Sequence, residues 1–222
     1  MVAKIFSVSC PVAKRERRKD ARPGELLAAA LELFVEKGFA ATRAEEVAKL
    51  AGVSKGTLFL YFASKEELFK AVVRENISGH FPEWNAEFAS FKASSAELLR
   101  HTMLMWWTRV GATKAGGISK LLMSEASNFP ELAAFYQNEV ITPGQALIRR
   151  ILQRGMDSGE FRNIDLHYGV YTVLAPMMFL MTWRHSLGIC AGLSLQLEPE
   201  HYLATQINTL LYGLCNKAPA PP

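Results

Sequence analysis

Lys55, Gly56 and Thr57 stand together inside AGVSKGTLFLYF, Ala51 to Phe62, and bring an ammonium, an open backbone and a hydroxyl to one place. Proteins hold phosphates with these groups. A nucleotide-binding loop arranges them as G-x-x-x-x-G-K-[ST] between a strand and a helix, so that backbone N-H groups and the lysine surround the phosphates. Here the order is Lys-Gly-Thr, and no acidic magnesium-binding strand follows. TLFLYF alone passes for a buried strand, because aromatic residues favour sheets. The other chemistry open to the stretch is the reading of DNA by a short helix.

Other reactive residues are sparse. His80, His101, His167, His185 and His201 have no HxxxH or HExxH spacing, so each reads as structural rather than as a metal ligand. Cys10, Cys190 and Cys215 lie far apart without a CxxC pair, which fits a reduced compartment. No Ser/His/Asp or paired-carboxylate arrangement stands out. The chain is therefore not expected to be an enzyme, and no metal or cofactor is expected.

The elements around Lys55 decide between loop, strand and helix. Leu27, Ala30, Leu31 and Phe34 recur at helical spacing after Pro23, and Gly38 ends that helix. Thr42 and Glu45 have capping-box spacing, which starts a second helix near Arg43 that buries Val47, Ala48 and Ala51 and stops at Gly52. Ser54 suits an N-cap for a third. Ser64 and Glu67 form another box, opening a helix with Leu68, Phe69, Val72 and Val73 on one side that ends near Pro82. A strand at Lys55 to Phe62 would have no partner, leaving its backbone groups unpaired.

Helix, three-residue turn and short helix over residues 43–62 form a helix-turn-helix, whose second helix enters the DNA major groove. Leu58 and Phe62 then pack toward Val47 and Phe34, leaving Lys55, Gly56, Thr57, Leu60 and Tyr61 nearer the open side. Gly56 costs this helix about 1 kcal/mol relative to Ala. Close approach to another backbone is a reason to tolerate that cost.

The 222 residues, half of them hydrophobic, suffice for one large or two modest domains. Net charge is +4, and residues 1–22, with KRERRKDAR, hold seven Lys/Arg against Glu16 and Asp20. This segment reads as a flexible basic arm placed to meet phosphates. The N-terminus is too short and polar for a secretory segment. The longest apolar run, Gly169 to Trp183, is interrupted by Pro176, and a membrane span needs about 20 residues. A cytoplasmic protein without a membrane partner is expected.

After Pro82 the pattern changes. Ser94 to Val110 is apolar nearly all round at Met103, Leu104, Met105, Trp106 and Trp107, as in a helix inside a bundle. Helical patterns follow at 118–126, at 130–157 with a bend at Pro143-Gly144, at 165–188 and at 199–215. KAPAPP, within the tail 217–222, reads as disordered. The chain is predicted to be all-α.

Pro23 to His80 resembles the DNA-binding domain of the TetR family of transcriptional regulators, on LLAAALELFVEKGFAATRAEEVAKLAGVSKGTLFLYFASKEELFKAVV. The core is G-V-S-K-G-T-L followed by Y-F and S-K-E-E-L. The resemblance implies a three-helix DNA-binding domain over 23–80 and a larger helical domain over 81–216 that binds an effector and dimerises. It puts Ser54, Lys55, Gly56 and Thr57 at the start of the recognition helix. Lys55 would meet guanine or phosphate, Thr57 phosphate and Leu60 a thymine methyl. Tyr61 and Lys65 match backbone-holding positions, and Arg43 starts the second helix with its charge and amides free for phosphate. Phe59 departs from the family, which most often has a phosphate-donating Tyr there.

In the C-terminal region Met103, Trp106, Trp107, Phe135, Tyr171, Met177 and Met181 could line an effector cavity, with Arg109 as partner for an acidic ligand. Pro176 should kink its helix beside that cavity. The resemblance implies a homodimer through the last two helices, carried here by Leu174, Met178, Ile207, Leu210, Leu211 and Leu214. The expected function is a repressor on a pseudo-palindromic DNA operator, released by a small, largely apolar ligand. Two rivals are a helix-turn-helix protein working only through protein contacts, and a helical ligand-binding protein or enzyme that merely retains the domain.

Overall fold

The computed structural model describes residues 22–186 and 197–214. The expectations for the basic arm, the three cysteines, the last residues of the 165–188 and 199–215 helices, and the tail lie outside the described residues. Among the described residues there are eleven α-helices and no strand.

Helix α1 (Arg22–Lys37) turns Leu26, Ala30 and Phe34 inward, and Gly38 at φ 85 reverses the chain after it. That left-handed backbone costs other L-residues about 1 to 2 kcal/mol. Helix α2 (Ala44–Leu50) starts one residue later than the Thr42–Glu45 spacing predicts. Thr42 is buried with its hydroxyl 2.7 Å from the Gly38 carbonyl, so it caps the end of α1 rather than the start of α2. Arg43 takes the N-cap position, and its backbone N-H donates to Glu46 Oε2 at 3.2 Å.

Gly52, at φ 68, makes the turn into α3 (Lys55–Tyr61), where Ser54 Oγ accepts from the Thr57 N-H at 3.1 Å. Ser64 likewise caps α4 (Lys65–Asn76) through the Glu67 N-H. Phe34, Phe39 and Phe69 meet in the middle of the four helices with ring centroids 5.4 to 5.5 Å apart. Aromatic contacts of this kind add to simple area burial.

Beyond α4 the sequence reading missed an element. A 3-10 turn (Ser78–His80) leads into α5 (Phe81–Ser90), with Pro82 in its first turn, where a missing N-H is harmless. Helix α6 (Ser95–Trp106) ends in a wide π turn (Trp107–Gly111), followed by α7 (Gly116–Glu125) and α8 (Pro130–Tyr136). A second π turn (Gln137–Ile141) precedes α9 (Thr142–Asp157), and Pro143, where a bend is expected, lies in the first turn of α9. Helix α10 (Leu166–His185) runs unbroken through Pro176, and α11 (Pro199–Leu214) packs on it and on α6.

Two cores result. The first joins α1 to α4 with α7 and α8, so packing continues across the boundary expected near residue 80. The second is built by α6, α9, α10 and α11.

Candidate functional site

On α3 the apolar side is used up inside. Leu58 is fully buried, whereas Lys55, Gly56, Phe59, Leu60 and Tyr61 face outward, Leu60 with 84% of its surface exposed. A methyl group added at Gly56 would meet only Ser54 Oγ, at 3.8 Å, so internal packing does not demand a glycine there. Ser54 and Thr57 hydroxyls lie 2.9 Å apart at the helix start. Lys55 forms an ion pair with Glu45 of α2 and lies 5.8 Å over the Phe59 ring. The hydrogen bond from Lys55 holds the Glu45 carboxyl below its usual range.

One residue of the expected contact set stands differently. Lys65 points inward over the Phe39 ring at 4.4 Å, and its ammonium donates to the carbonyls of Phe39, Ala40 and Thr42 at 2.8, 3.4 and 3.1 Å. With three acceptors for three donors it fixes the α1–α2 turn instead of offering charge to a phosphate. Arg43 is exposed at the head of α2, as expected.

The C-terminal region encloses a cavity of about 530 Å³, walled by α5 to α10 and almost wholly apolar. Trp106, Tyr171 and Met177 line it, as the sequence reading proposes. Met103, Trp107 and Met181 do not. Met103 and Trp107 point from α6 and the adjoining π turn into the second core, and Met181 of α10 is fully buried away from the void, because inward-facing positions on those helices divide between core and void. Phe135 also lies elsewhere, with the Arg74 guanidinium 5.0 Å over its ring. Arg109 is exposed and bound by Glu83 at 3.4 Å and Glu87 at 3.3 Å, so it holds α5 to the end of α6 rather than serving an acidic ligand.

Other wall residues carried no sequence signal. Trp84 of α5 is 3% exposed, and its Nε1 is the one buried side-chain polar atom without a partner among the described residues. Ser119 of α7 and Tyr136 of α8 hydrogen-bond at 2.6 Å, and burial pushes the Tyr136 phenol up to about 12. Ala175, next to Pro176, also borders the void. Met123, Ile141 and Tyr171 are both wall residues and exposed, so the cavity opens to solvent along the sides formed by α7, the second π turn and α10.

Two polar links tie the cavity walls to the helix-turn-helix unit. Glu125, at the end of α7, accepts from the backbone N-H groups of Phe39 and Ala40 at 3.0 Å each. Glu139, inside the second π turn, is gripped by Arg74 of α4 through two bonds of 2.9 and 2.6 Å. Those bonds hold its carboxyl below the usual range. Leu122, Met123 and Ala126 around Glu125, and Gln137, Val140 and Ile141 around Glu139, are wall residues.

The expected dimer residues are mostly spent inside the chain. Ile207, Leu211 and Leu214 are buried in the second core, Leu210 packs against it, and Leu174 and Met178 face the cavity. The outer faces of α10 and α11 instead present Tyr168, Tyr171, Ala175, Phe179 and Tyr212. Alternation at helical spacing marks both sides of such helices and does not by itself say which side packs inward.

Residues 26–72 match the family described as bacterial regulatory proteins, tetR family, and residues 95–187 match the tetracyclin repressor-like C-terminal domain. The transcriptional regulator RutR of Escherichia coli K12 is 42% identical over 85 residues, 38% of each chain, so this match spans under half of that relative's length. The fatty acid metabolism regulator protein of Bacillus subtilis is 30% identical over 138 residues, covering 62% of this chain and 70% of that one. In structure, the fatty acid degradation regulator FadR of Bacillus halodurans superposes with a TM-score of 0.70 at 21% identity, over 88% of this chain and 97% of its own.

Proposed function

The chain belongs to the TetR family of transcriptional regulators, and from that footing we propose that it is a dimeric repressor released from its operator by a small apolar effector. The observation that carries the reading is the outer face of α3. It spends helix stability on an exposed Gly56 that no internal contact requires, beside an outward Lys55 and Leu60. A backbone that must come close to DNA accounts for all three. Ser54, Thr57 and Tyr61 add hydroxyls for phosphates, and Arg43 adds a charge at the head of α2.

In this reading Phe59 supplies no hydroxyl. It holds the Lys55 stem instead, and DNA phosphates displace Glu45 from the ammonium. Two copies paired through the outer faces of α10 and α11 set their α3 helices about one DNA turn, roughly 34 Å, apart. Tyr168, Ala175, Phe179 and Tyr212 are the contacts we assign to that pairing.

A guest in the cavity presses on the wall residues flanking Glu125 and Glu139, and those carboxylates move the α1–α2 turn and α4. Release follows only if the guest binds the two arrangements unequally. The B. subtilis relative is named for fatty acid metabolism, and the aliphatic and aromatic walls here suit an acyl chain or a molecule of similar polarity. A cavity of this size argues against a protein that works through protein contacts alone.

A transcriptional reporter driven by the DNA upstream of its own coding sequence tests the proposal. Removing the protein should raise expression, and the Lys55→Ala variant should behave like its absence. Unchanged expression in both strains would overturn it.

A further inference from the structure

We infer that Thr102 of α6 is the polar anchor of the cavity: its hydroxyl hydrogen-bonds an uncharged oxygen, carbonyl or hydroxyl, on an otherwise apolar guest. This deepens the effector reading and rests on it. Thr102 is 7% exposed and borders the void. Met105 and Trp106, three and four residues on, border it too, so one face of α6 looks into the cavity. Elsewhere in the helical segments a threonine hydroxyl turns back on the carbonyl four residues earlier, as Thr108 does on Leu104 and Thr205 on His201, both at 2.9 Å. The Thr102 hydroxyl makes neither that bond nor any other among the described residues. Trp84 Nε1 is also without a partner, but its neighbours seal it. The Thr102 oxygen is not sealed, and the open space on its face of α6 is the cavity. A buried hydroxyl without a partner costs free energy. Valine has the same shape and about the same helix propensity, and would avoid that cost.

The other polar side chains of the wall have less to gain from a guest. Ser119 and Tyr136 bond each other at 2.6 Å. That bond uses one of their two hydroxyl protons and leaves the other available, but each oxygen already has a partner. Gln137 is exposed and donates to Thr142 at 3.2 Å, and Gln145 reaches the hydroxyl of the exposed Tyr171 at 3.4 Å, so both amides lie toward the open side, where water competes for them. Thr102 alone among these groups would gain a whole hydrogen bond where it has none. No Asp, Glu, Lys, Arg or His lines the void, so a charged group held there would be desolvated without a counter-charge. The chemistry that fits is an apolar body carrying a ketone, ester, amide or alcohol oxygen.

The test uses the full chain without DNA and two probes of one shape: 2-octanone, and 2-methyl-1-octene, in which a methylene group replaces the carbonyl oxygen. Water solvates the ketone better than the alkene, so each probe is compared between proteins rather than with the other probe. In calorimetric titration Thr102→Val should weaken 2-octanone about 3- to 10-fold, the increment of one hydrogen bond between neutral groups, and leave the alkene unchanged. Thr102→Ser keeps the hydroxyl and should return the ratio of ketone to alkene affinity to the wild-type value. Without a guest, Thr102→Val should melt at or above the wild-type temperature, because the hydroxyl it removes has no protein partner. Equal losses of both probes in Thr102→Val, no loss of either, or a lowered melting temperature without guest would overturn the anchor, and a Thr102→Val chain too unstable to titrate counts as such a lowering. Failure of both probes to bind the wild type would overturn the anchor and the effector reading together. Anchored ketone binding that leaves operator affinity unchanged would spare the anchor and defeat the effector reading alone.

Discussion

The helix-turn-helix unit and the region beyond it solve opposite packing problems with similar residues. Around Phe34, Phe39 and Phe69 the rings touch on all sides, and Lys65 closes the α1–α2 turn by its three carbonyl bonds. Between α5 and α10, Trp84, Trp106 and Met177 surround about 530 Å³ of space. A surface that must match DNA needs fixed geometry, and a sensor needs room for a guest and walls that yield. The difference is one of support: the reader is stapled to itself, and the sensor is linked to the reader through Glu125 and Glu139.

The contrast breaks first at the cores. Phe39→Ala should cost about 3 to 5 kcal/mol, because close-packed aromatic sites cannot collapse, and thermal melting should fall by roughly 10 °C. Met178→Ala, beside an existing void, should cost about 1 kcal/mol or less. Equal losses would mean that the two regions are packed alike.

Gly56→Ala should separate fold from function on α3. The site has room for the methyl group, so melting should rise by the helix-propensity gain of about 0.5 to 1 kcal/mol. Operator affinity should nonetheless fall roughly tenfold or more, about 1.4 kcal/mol. A variant that is more stable and binds DNA as well as before would remove the reason given for the glycine.

Glu139→Gln should leave melting nearly unchanged, since the pair is half-exposed and such pairs contribute little. What it should lose is response: operator release by an effector should shrink several-fold, the scale of a coupling free energy of about 1 to 3 kcal/mol. The smallest effect is one of pH. Glu139 has a depressed pKa in the fold, so its contribution is complete above the ordinary carboxylate range and is lost as pH falls below it. Effector response should hold from neutral pH down to that range and weaken in stronger acid, measured by DNA anisotropy with the Gln variant as control.

The reader was legible because its signals are local. Ser54, Gly52 and the apolar pair Leu58 and Phe62 act within a dozen residues, and each does in the fold what its type suggests. Even there the cap of α2 slipped by one residue, since a buried Thr42 hydroxyl chose a carbonyl over a helix amide. The cavity is non-local. Periodicity says that Met103, Trp106, Trp107 and Met181 face inward, but not whether the inside is filled, and Trp106 alone of these four lines the void. Trp84 was missed because Pro82 reads as a stop and in fact lies in the first turn of α5.

DNA binding through α3 is the claim on which the rest stands, and anisotropy titration of the duplex upstream of its own coding sequence at stepped salt measures it directly. The account predicts tighter binding than to a scrambled duplex, affinity that falls steeply as salt rises, and a shallower salt slope for Lys55→Ala because one phosphate or base contact is gone. Equal affinity for both duplexes, or a Lys55→Ala titration superimposable on the wild type at every salt, would contradict it.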